Sequence, residues 1–171
     1  MLFIWLMTYT TELEPVDMAH LLNTLKDIHT ATTESGNVIF SVEFADERPM
    51  VFRGLEDRIV QVLRNLIGNA VSFSPPGGAV ILKAKPLGSK IIVTVEDEGP
   101  GIPEGSQTNI FKRFYQERPK EEKFGTHSGL GLSISKQIVE THGGRISAEN
   151  RISEQGEVLG ARFTIHLPVS A

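Results

Sequence analysis

The sequence predicts a single domain with an α/β fold, a two-layer α/β sandwich in which a mixed sheet is covered on one face by helices. Three observations lead there. Segments of helical and strand periodicity are interleaved along the chain. The later strands lie close together in sequence. The 171 residues are 40% apolar, which supplies one substantial core.

Residues 1–14 are expected to be an N-terminal extension. Its start, "MLFIWLM", is apolar and uncharged, far short of the roughly 20 residues that span a bilayer. It lacks the basic start and small-residue cleavage site of a signal peptide. It reads as an expression scar or a segment packed on the domain, with an oligomer contact or the stub of a preceding helix as alternatives.

The domain is expected over residues 15–171. "ELEPVD" offers a turn and then an N-cap at Asp17. Leu21, Leu22, Leu25 and Ile28 follow at helical spacing, so residues 17–32 read as an amphipathic helix. "NVIFSVEFA" alternates, placing Val38, Phe40, Val42 and Phe44 on one buried side of a strand. A short strand is expected around residues 50–52. Ile59, Val62, Leu63, Leu66, Ile67 and Ala70 then recur at three and four residues, and "SPPGG" ends that helix. "AVILKAKP" and "KIIVTVED" predict a hairpin joined through residues 87–89. Residues 99–124 carry glycines and no sustained period, with room for a short helix in "SQTNIFKRFYQ". Residues 130–142 read as a helix closed by Gly143 and Gly144. "RISAENR" and "GARFTIHLP" finish the chain as strands.

Acidic residues outnumber basic ones by 21 to 17 and the net charge is −4, which argues against a nucleic-acid partner. There is no cysteine, so disulfides and thiolate metal sites are excluded.

Three motifs carry chemistry. The first is "NLIGNAVSFS", residues 65–74. Asparagine is poor in helix interiors because its side chain competes for backbone hydrogen bonds. Yet Asn65 and Asn69 share a stripe with Arg58, Gln61 and Ser72. That stripe could be a plain solvated face. An amide oxygen is also a neutral, hard ligand that can bind Mg²⁺ without adding negative charge beside phosphates. The second motif is "VEDEGPGIP", in which a strand ends in Asp97 and Gly99 and Gly101 flank Pro100. A carboxylate there can accept from an exocyclic amine, and glycines let backbone approach a planar ligand; alone it could equally be an acidic turn. The third is "GTHSGLGLSISK", where Gly125, Gly129 and Gly131 open into a helix. Amides at a helix N-terminus attract phosphate, although a loop with an N-cap at Ser128 would look the same. Neither the dinucleotide fingerprint nor the P-loop signature is present. Each motif is weak, but their combination and order are specific.

In that order the chain resembles the catalytic, ATP-binding domain of bacterial sensor histidine kinases, within the wider family of gyrase, mismatch-repair and heat-shock chaperone ATPases. "QVLRNLIGNAVSFSP" resembles the N box, "DEGPGIP" the first glycine box, "IFKRFYQ" the F box and "GTHSGLGLSISKQIVETHGG" the second glycine box. The likeness covers residues 15–168 and is greatest to envelope-stress or acid-sensing kinases of α-proteobacteria. It implies the Bergerat ATP-binding fold, ATP as substrate and Mg²⁺ as cofactor. Asn69 would be the principal Mg²⁺ ligand, with Asn65 assisting at metal or phosphate; these two would form the catalytic pair. Asp97 would take the adenine amino group. Gly99, Gly101 and Ile102 would shape the adenine pocket, bordered by Phe73. Residues 113–127, with Arg113, Tyr115 and His127 among those meeting ATP, would form a lid. Ser128, Gly129, Leu130, Gly131 and Leu132 would meet the phosphates. Phe111 and Phe114 would help dock the helix that carries the phospho-accepting histidine.

The resemblance also implies partners: ATP, a histidine-bearing dimerisation domain of the same kinase, and a downstream response regulator. The fragment would be a cytoplasmic monomer. The full-length kinase would be a homodimer anchored in the bacterial inner membrane. There are departures. Ser72 stands where many such kinases carry lysine, Phe73 where they carry tyrosine, Gln116 where they carry arginine and Glu98 where asparagine is common. None of His20, His29, His127, His142 and His166 has the sequence setting of a phospho-acceptor, and each reads as structural or solvated. An impaired ATP-binding regulatory module, or a stand-alone ATPase or serine kinase of the wider family, are the alternative functions.

Overall fold

A computed structural model of the chain describes residues 12–33, 38–113, 115 and 130–169. The expected sandwich is present. Five strands run in the order β2-β4-β5-β7-β6: β2 (Ile39–Phe44), β4 (Ala79–Leu87), β5 (Lys90–Glu96), β7 (Val158–Pro168) and β6 (Arg145–Ile152). The β2–β4 pair is parallel and the others are antiparallel, so the sheet is mixed. Helices α1 (Met18–Thr33), α2 (Glu56–Phe73) and α3 (Gly131–Thr141) supply the second layer.

Strand alternation builds the interface between the layers. Val80, Leu82 and Ala84 of β4, Ile91, Val93 and Val95 of β5, and Phe163, Ile165 and Leu167 of β7 are buried. Their intervening neighbours point to the other face of the sheet. The six apolar positions expected on α2, Ile59 to Ala70, are all buried. Glu56 and Asp57 lie in its first turn, where the helix dipole favours acidic side chains. The helix stops where Ser74 turns its amide and hydroxyl onto the Ala70 carbonyl, at 3.0 and 2.8 Å, just before Pro75.

Two local expectations change. The turn at "ELEPVD" is a strand, β1 (Glu14–Asp17), paired antiparallel with β3 (Val51–Gly54) so that Val16 opposes Phe52. Only Val16 of its four residues is buried, so no alternating pattern exists to reveal it, and Pro15 is tolerated because the ribbon is two-stranded. Asp17 does cap α1, accepting from the Ala19 amide at 3.0 Å. The second change is β2. Phe40 and Val42 pack partly against the core, but Phe44 is 36% exposed, because β2 is an edge strand with a neighbour on one side only.

Smaller adjustments follow from turn chemistry. The β4–β5 hairpin turns on Gly88 and Ser89, since Leu87 still pairs with Lys90 and Gly88 takes φ +59°. The short helix expected before the lid is a single 3₁₀ turn, Asn109–Phe111. Helix α3 ends at Thr141, with His142 as its C-cap and Gly143 after it at φ +74°. His142 is structural. Its Nδ1 lies 2.8 Å from the Ile138 carbonyl, which can only accept, so Nδ1 carries the proton. Its Nε2 accepts from the Leu55 amide at 3.0 Å, tying the end of α3 to the start of α2. Among the described residues, no helix is long and apolar enough to cross a membrane.

Candidate functional site

The site grows from the end of β5. Glu96 and Asp97 are consecutive and both buried, at 4% and 3% exposure, but alternation sends them to opposite faces. Glu96 lies on the sheet face away from the helices, within ion-pair distance of Lys83 at 3.3 Å, Arg151 at 3.3 Å and Arg162 at 3.1 Å. Burial pushes its carboxyl up, but the Arg162 hydrogen bond and the Lys83 and Arg162 charges outweigh this and hold it below the usual range. Asp97 continues the core-facing row of Val93 and Val95, toward the helix layer. Its Oδ1 accepts from the amides of Gly99 at 2.8 Å and Ala161 at 3.1 Å. Burial raises its carboxyl above the ordinary range; those two hydrogen bonds and the Arg151 charge offset only part of the effect.

The glycine turn after Asp97 is packed on three sides. A Cβ on Gly99 would sit 2.8 Å from the Phe73 carbonyl oxygen, so the turn is pressed against the end of α2. Gly101 has φ +84°, and a Cβ there would lie 2.7 Å from Asn150 Oδ1. A Cβ on Gly160 would run into the Asp97 carbonyl. Ile102 is buried in the core. Glu98, which departs from the common asparagine, accepts from the Ala79 amide at 2.8 Å. It thereby ties the turn to the start of β4.

The asparagine stripe of α2 meets the first turns of α3. Asn65 Nδ2 donates to the Gly131 carbonyl and to Ser135 Oγ, both at 3.2 Å. A carbonyl can only accept, so the amide nitrogen must face α3 and Oδ1 is the atom left for a ligand. Asn69 is half-buried one turn further on. Two neutral amide oxygens suit Mg²⁺, which keeps several waters and takes phosphate oxygens alongside few protein ligands. The donor set therefore fits that ion.

Elsewhere the predicted residues fall into distinct settings. Phe73 borders the turn and is 36% exposed. Leu132 and Tyr115 pack partly against the core. Arg113 and Leu130 line a cavity of about 230 Å³ together with Ser133, Ile134 and Gln137 of α3. Phe111, in the 3₁₀ turn, is 7% exposed and its ring meets Phe163 edge-on at 6.2 Å. Phe114, His127, Ser128 and Gly129, and most of the lid segment, lie outside the described residues.

Asn150, Arg151 and Gly160 were not singled out by sequence. Asn150 accepts from the Ile102 amide at 2.6 Å and donates to the Ile102 carbonyl at 2.9 Å. Arg151 donates to the Asp97 carbonyl at 2.7 Å. These partners are 48 and 54 residues away. Nothing in "AENRI" marks them until the sheet order is known.

Fold and geometry together define an α/β sandwich in which the glycine turn after Asp97 is pressed against the end of the asparagine-bearing helix. The sequence profile of the histidine kinase-, DNA gyrase B- and HSP90-like ATPases matches residues 54–171, and the chain belongs to that family. Sensor protein ChvG of Agrobacterium fabrum is 41% identical over 162 residues, covering 91% of this chain and 27% of ChvG. ChvG of Rhizobium meliloti is 41% identical over 160 residues, 90% of this chain and 28% of that protein. The chain thus spans little more than a quarter of the length of these relatives. The catalytic domain of histidine kinase ThkA superposes with a TM-score of 0.78 at 28% identity, covering 92% of this chain and 96% of that one. Over the length it spans, the chain is similar to the catalytic domains of sensor histidine kinases, α-proteobacterial ones among them.

Proposed function

We propose that this chain binds ATP with Mg²⁺ and passes the γ-phosphoryl group to a histidine on a separate dimerisation domain of the same kinase. Asn69 and Asn65 hold the metal and phosphates through amide oxygens. Asp97 accepts from the adenine amino group. The first turn of α3 faces the phosphates. An imidazole nitrogen of the partner forms the P–N bond as the bond from the γ-phosphorus to the ADP oxygen breaks. A response regulator then takes the phosphoryl group. The structure of histidine kinase ThkA in complex with response regulator TrrA, similar to this chain at 26% identity and a TM-score of 0.75, supports a response regulator as partner. We place the chain on the cytoplasmic side of a membrane-anchored, homodimeric sensor.

One observation carries the choice of kinase over hydrolase. In the hydrolytic relatives a glutamate stands one turn before the metal asparagine and activates water. Here that position is Asn65, with its amide nitrogen bonded to Gly131 and Ser135. A neutral amide has no useful basicity near neutral pH and cannot serve as a general base. Such a site preserves ATP until a better nucleophile docks.

The departures at Ser72 and Gln116 favour a second reading, a nucleotide-binding regulatory module without catalysis. One experiment separates them. The chain is mixed with a histidine-bearing dimerisation domain of a ChvG-type kinase and γ-labelled ATP. Acid-labile label on the partner, none on this chain, and little phosphate release by the chain alone is the expected result. ATP binding without transfer would favour the regulatory module. Robust phosphate release by the isolated chain would favour a stand-alone ATPase.

A further inference from the structure

The adenine-recognition turn is only as well defined as the backbone that carries it, and that backbone is held from β6. Two consecutive residues of this strand do the holding, one from each face of the sheet. Arg151, on the outer face with Glu96, donates to the carbonyl at the start of the turn, Asp97. Asn150, on the core-facing side with Ile146 and Ala148, holds both polar groups of Ile102 at the end of the turn. The strand is irregular at this point. Arg151 opposes Gly160 but Ile152 opposes Val158, a register shift of the kind that re-aims side chains beside functional sites.

We propose that Asn150 is a positioning residue for base recognition. It fixes the peptide of Ile102, and through it the left-handed Gly101, so that the turn after Asp97 presents one conformation to the nucleobase. The inference rests on the nucleotide reading above. Its chemistry is specific to a carboxamide. Ile102 offers one donor and one acceptor, and the Asn150 side chain supplies the complement of each. The contact also adds to the constraint on Gly101: its φ of +84° already favours glycine, and a Cβ there would press on both Asn150 Oδ1 and Val158 Cγ1. Aspartate at position 150 would keep the acceptor for the Ile102 amide but set a second oxygen against the Ile102 carbonyl. Alanine would release both groups.

The test uses the full chain and the variants Asn150→Ala and Asn150→Asp, with three readouts. These are ATP affinity, the preference for ATP over GTP, and hydrogen exchange at the Ile102 amide, with thermal unfolding as a check on folding. The expected result is folded variants with weaker ATP binding by about tenfold, ~1.4 kcal/mol, and a reduced ATP-over-GTP preference. Ile102 should exchange faster in Asn150→Ala than in wild type, and Asn150→Asp should protect it better than alanine does. A purely structural role would lower the unfolding temperature but leave the base preference intact. If Asn150→Ala fails to fold, the near-isosteric Asn150→Asp carries the test. A folded variant with wild-type ATP affinity and base preference overturns the proposal. A wild-type chain that binds neither nucleotide overturns the nucleotide reading instead, while Ile102 exchange still reports whether Asn150 holds the turn.

Discussion

The Asn65 side-chain nitrogen donates to the Gly131 carbonyl across 3.2 Å, joining the helix of the asparagines to the first residue of α3. The contact is a hydrogen bond that only one orientation of the amide can make. It links the asparagine stripe of α2 to the first turn of α3, the two elements proposed to hold the metal and the phosphates. Asn65→Asp would place a carboxylate oxygen against that carbonyl. The Ser135 hydroxyl can rotate to donate, so one of the two bonds is replaced and the other becomes a repulsion. A loss of about 1–3 kcal/mol in unfolding free energy is expected, the cost of an unsatisfied buried group. Urea denaturation measures it, and a stability equal to wild type would show that the two helices are not coupled through this residue.

Asp97 behaves in the opposite way, because its charge is costly to the fold. Its folded pKa is raised, chiefly by burial, so the native state holds its proton to higher pH than the unfolded chain does. Stability therefore declines as pH rises from the unfolded carboxyl range through the raised folded value, and the full cost is present above it. The variant Asp97→Asn keeps an oxygen for the Gly99 and Ala161 amides but loses the charge. At neutral pH the variant's Tm should equal or exceed that of wild type, and the difference should shrink in acid. The new amide nitrogen would face the adenine amino group, donor against donor, so ATP affinity should fall by about one to two decades. A variant less stable than wild type at neutral pH, with unchanged ATP affinity, would contradict both halves.

Glu96, one residue earlier, has the reverse sign. Its folded pKa is depressed once the Lys83 and Arg162 interactions overcome burial. Its contribution is present above the unfolded glutamate value and is lost as pH falls through the depressed folded value. Glu96→Gln would leave Lys83, Arg151 and Arg162 without their shared anion, although all three cations keep partial access to water, with side-chain exposures of 43%, 22% and 34%. A destabilisation of about 1.5–3 kcal/mol at neutral pH is expected, the range for hydrogen bonds to a charged group. Denaturation at about pH 7 and again near pH 3 should show the gap between variant and wild type closing in acid. A gap independent of pH would mean that shape, rather than charge, is what Glu96 contributes.

The contrast between Glu96 and Asp97 also shows what the sequence could reveal. Strand period alone separates their faces, and the helical period of α2 alone puts Asn65 and Asn69 on one stripe. Local chemistry was legible wherever it repeats within a few residues. What stayed hidden depends on chain segments far apart. β1 has one buried residue and no pattern. Phe44 looks buried by alternation, but an edge strand has a neighbour on one side only. The edge-on contact of Phe111 with Phe163 has no local signature in the sequence. Asn150 and Arg151 are ordinary strand residues until the order β5-β7-β6 brings them to the glycine turn. Glu98 departs from the family's common residue, yet its bond to the Ala79 amide gives it a local structural role.

Asn69 provides the last prediction, because its expected role leaves the fold untouched. It is half-buried on the α2 stripe, while the helix is anchored by Leu66, Ile67 and Ala70 around it. Asn69→Ala replaces a helix-disfavouring residue with the best helix former, so stability should hold or rise slightly, by up to about 0.7 kcal/mol. The ligand effect should be larger and conditional on metal. Mg²⁺ takes an oxygen from the protein in addition to phosphate and water, and removing that oxygen weakens ATP only when the ion is present. Nucleotide titrations of wild type and variant, each with Mg²⁺ and with chelator, isolate the difference. Wild type should gain affinity from Mg²⁺, and the variant should gain much less, with similar values for both proteins in chelator. Asn65→Ala serves as the comparison: it should lower stability as well, because it breaks the bonds to Gly131 and Ser135. An Asn69→Ala chain that retains the full Mg²⁺-dependent gain would remove Asn69 from the metal site and leave Asn65 Oδ1 as the candidate ligand on this helix.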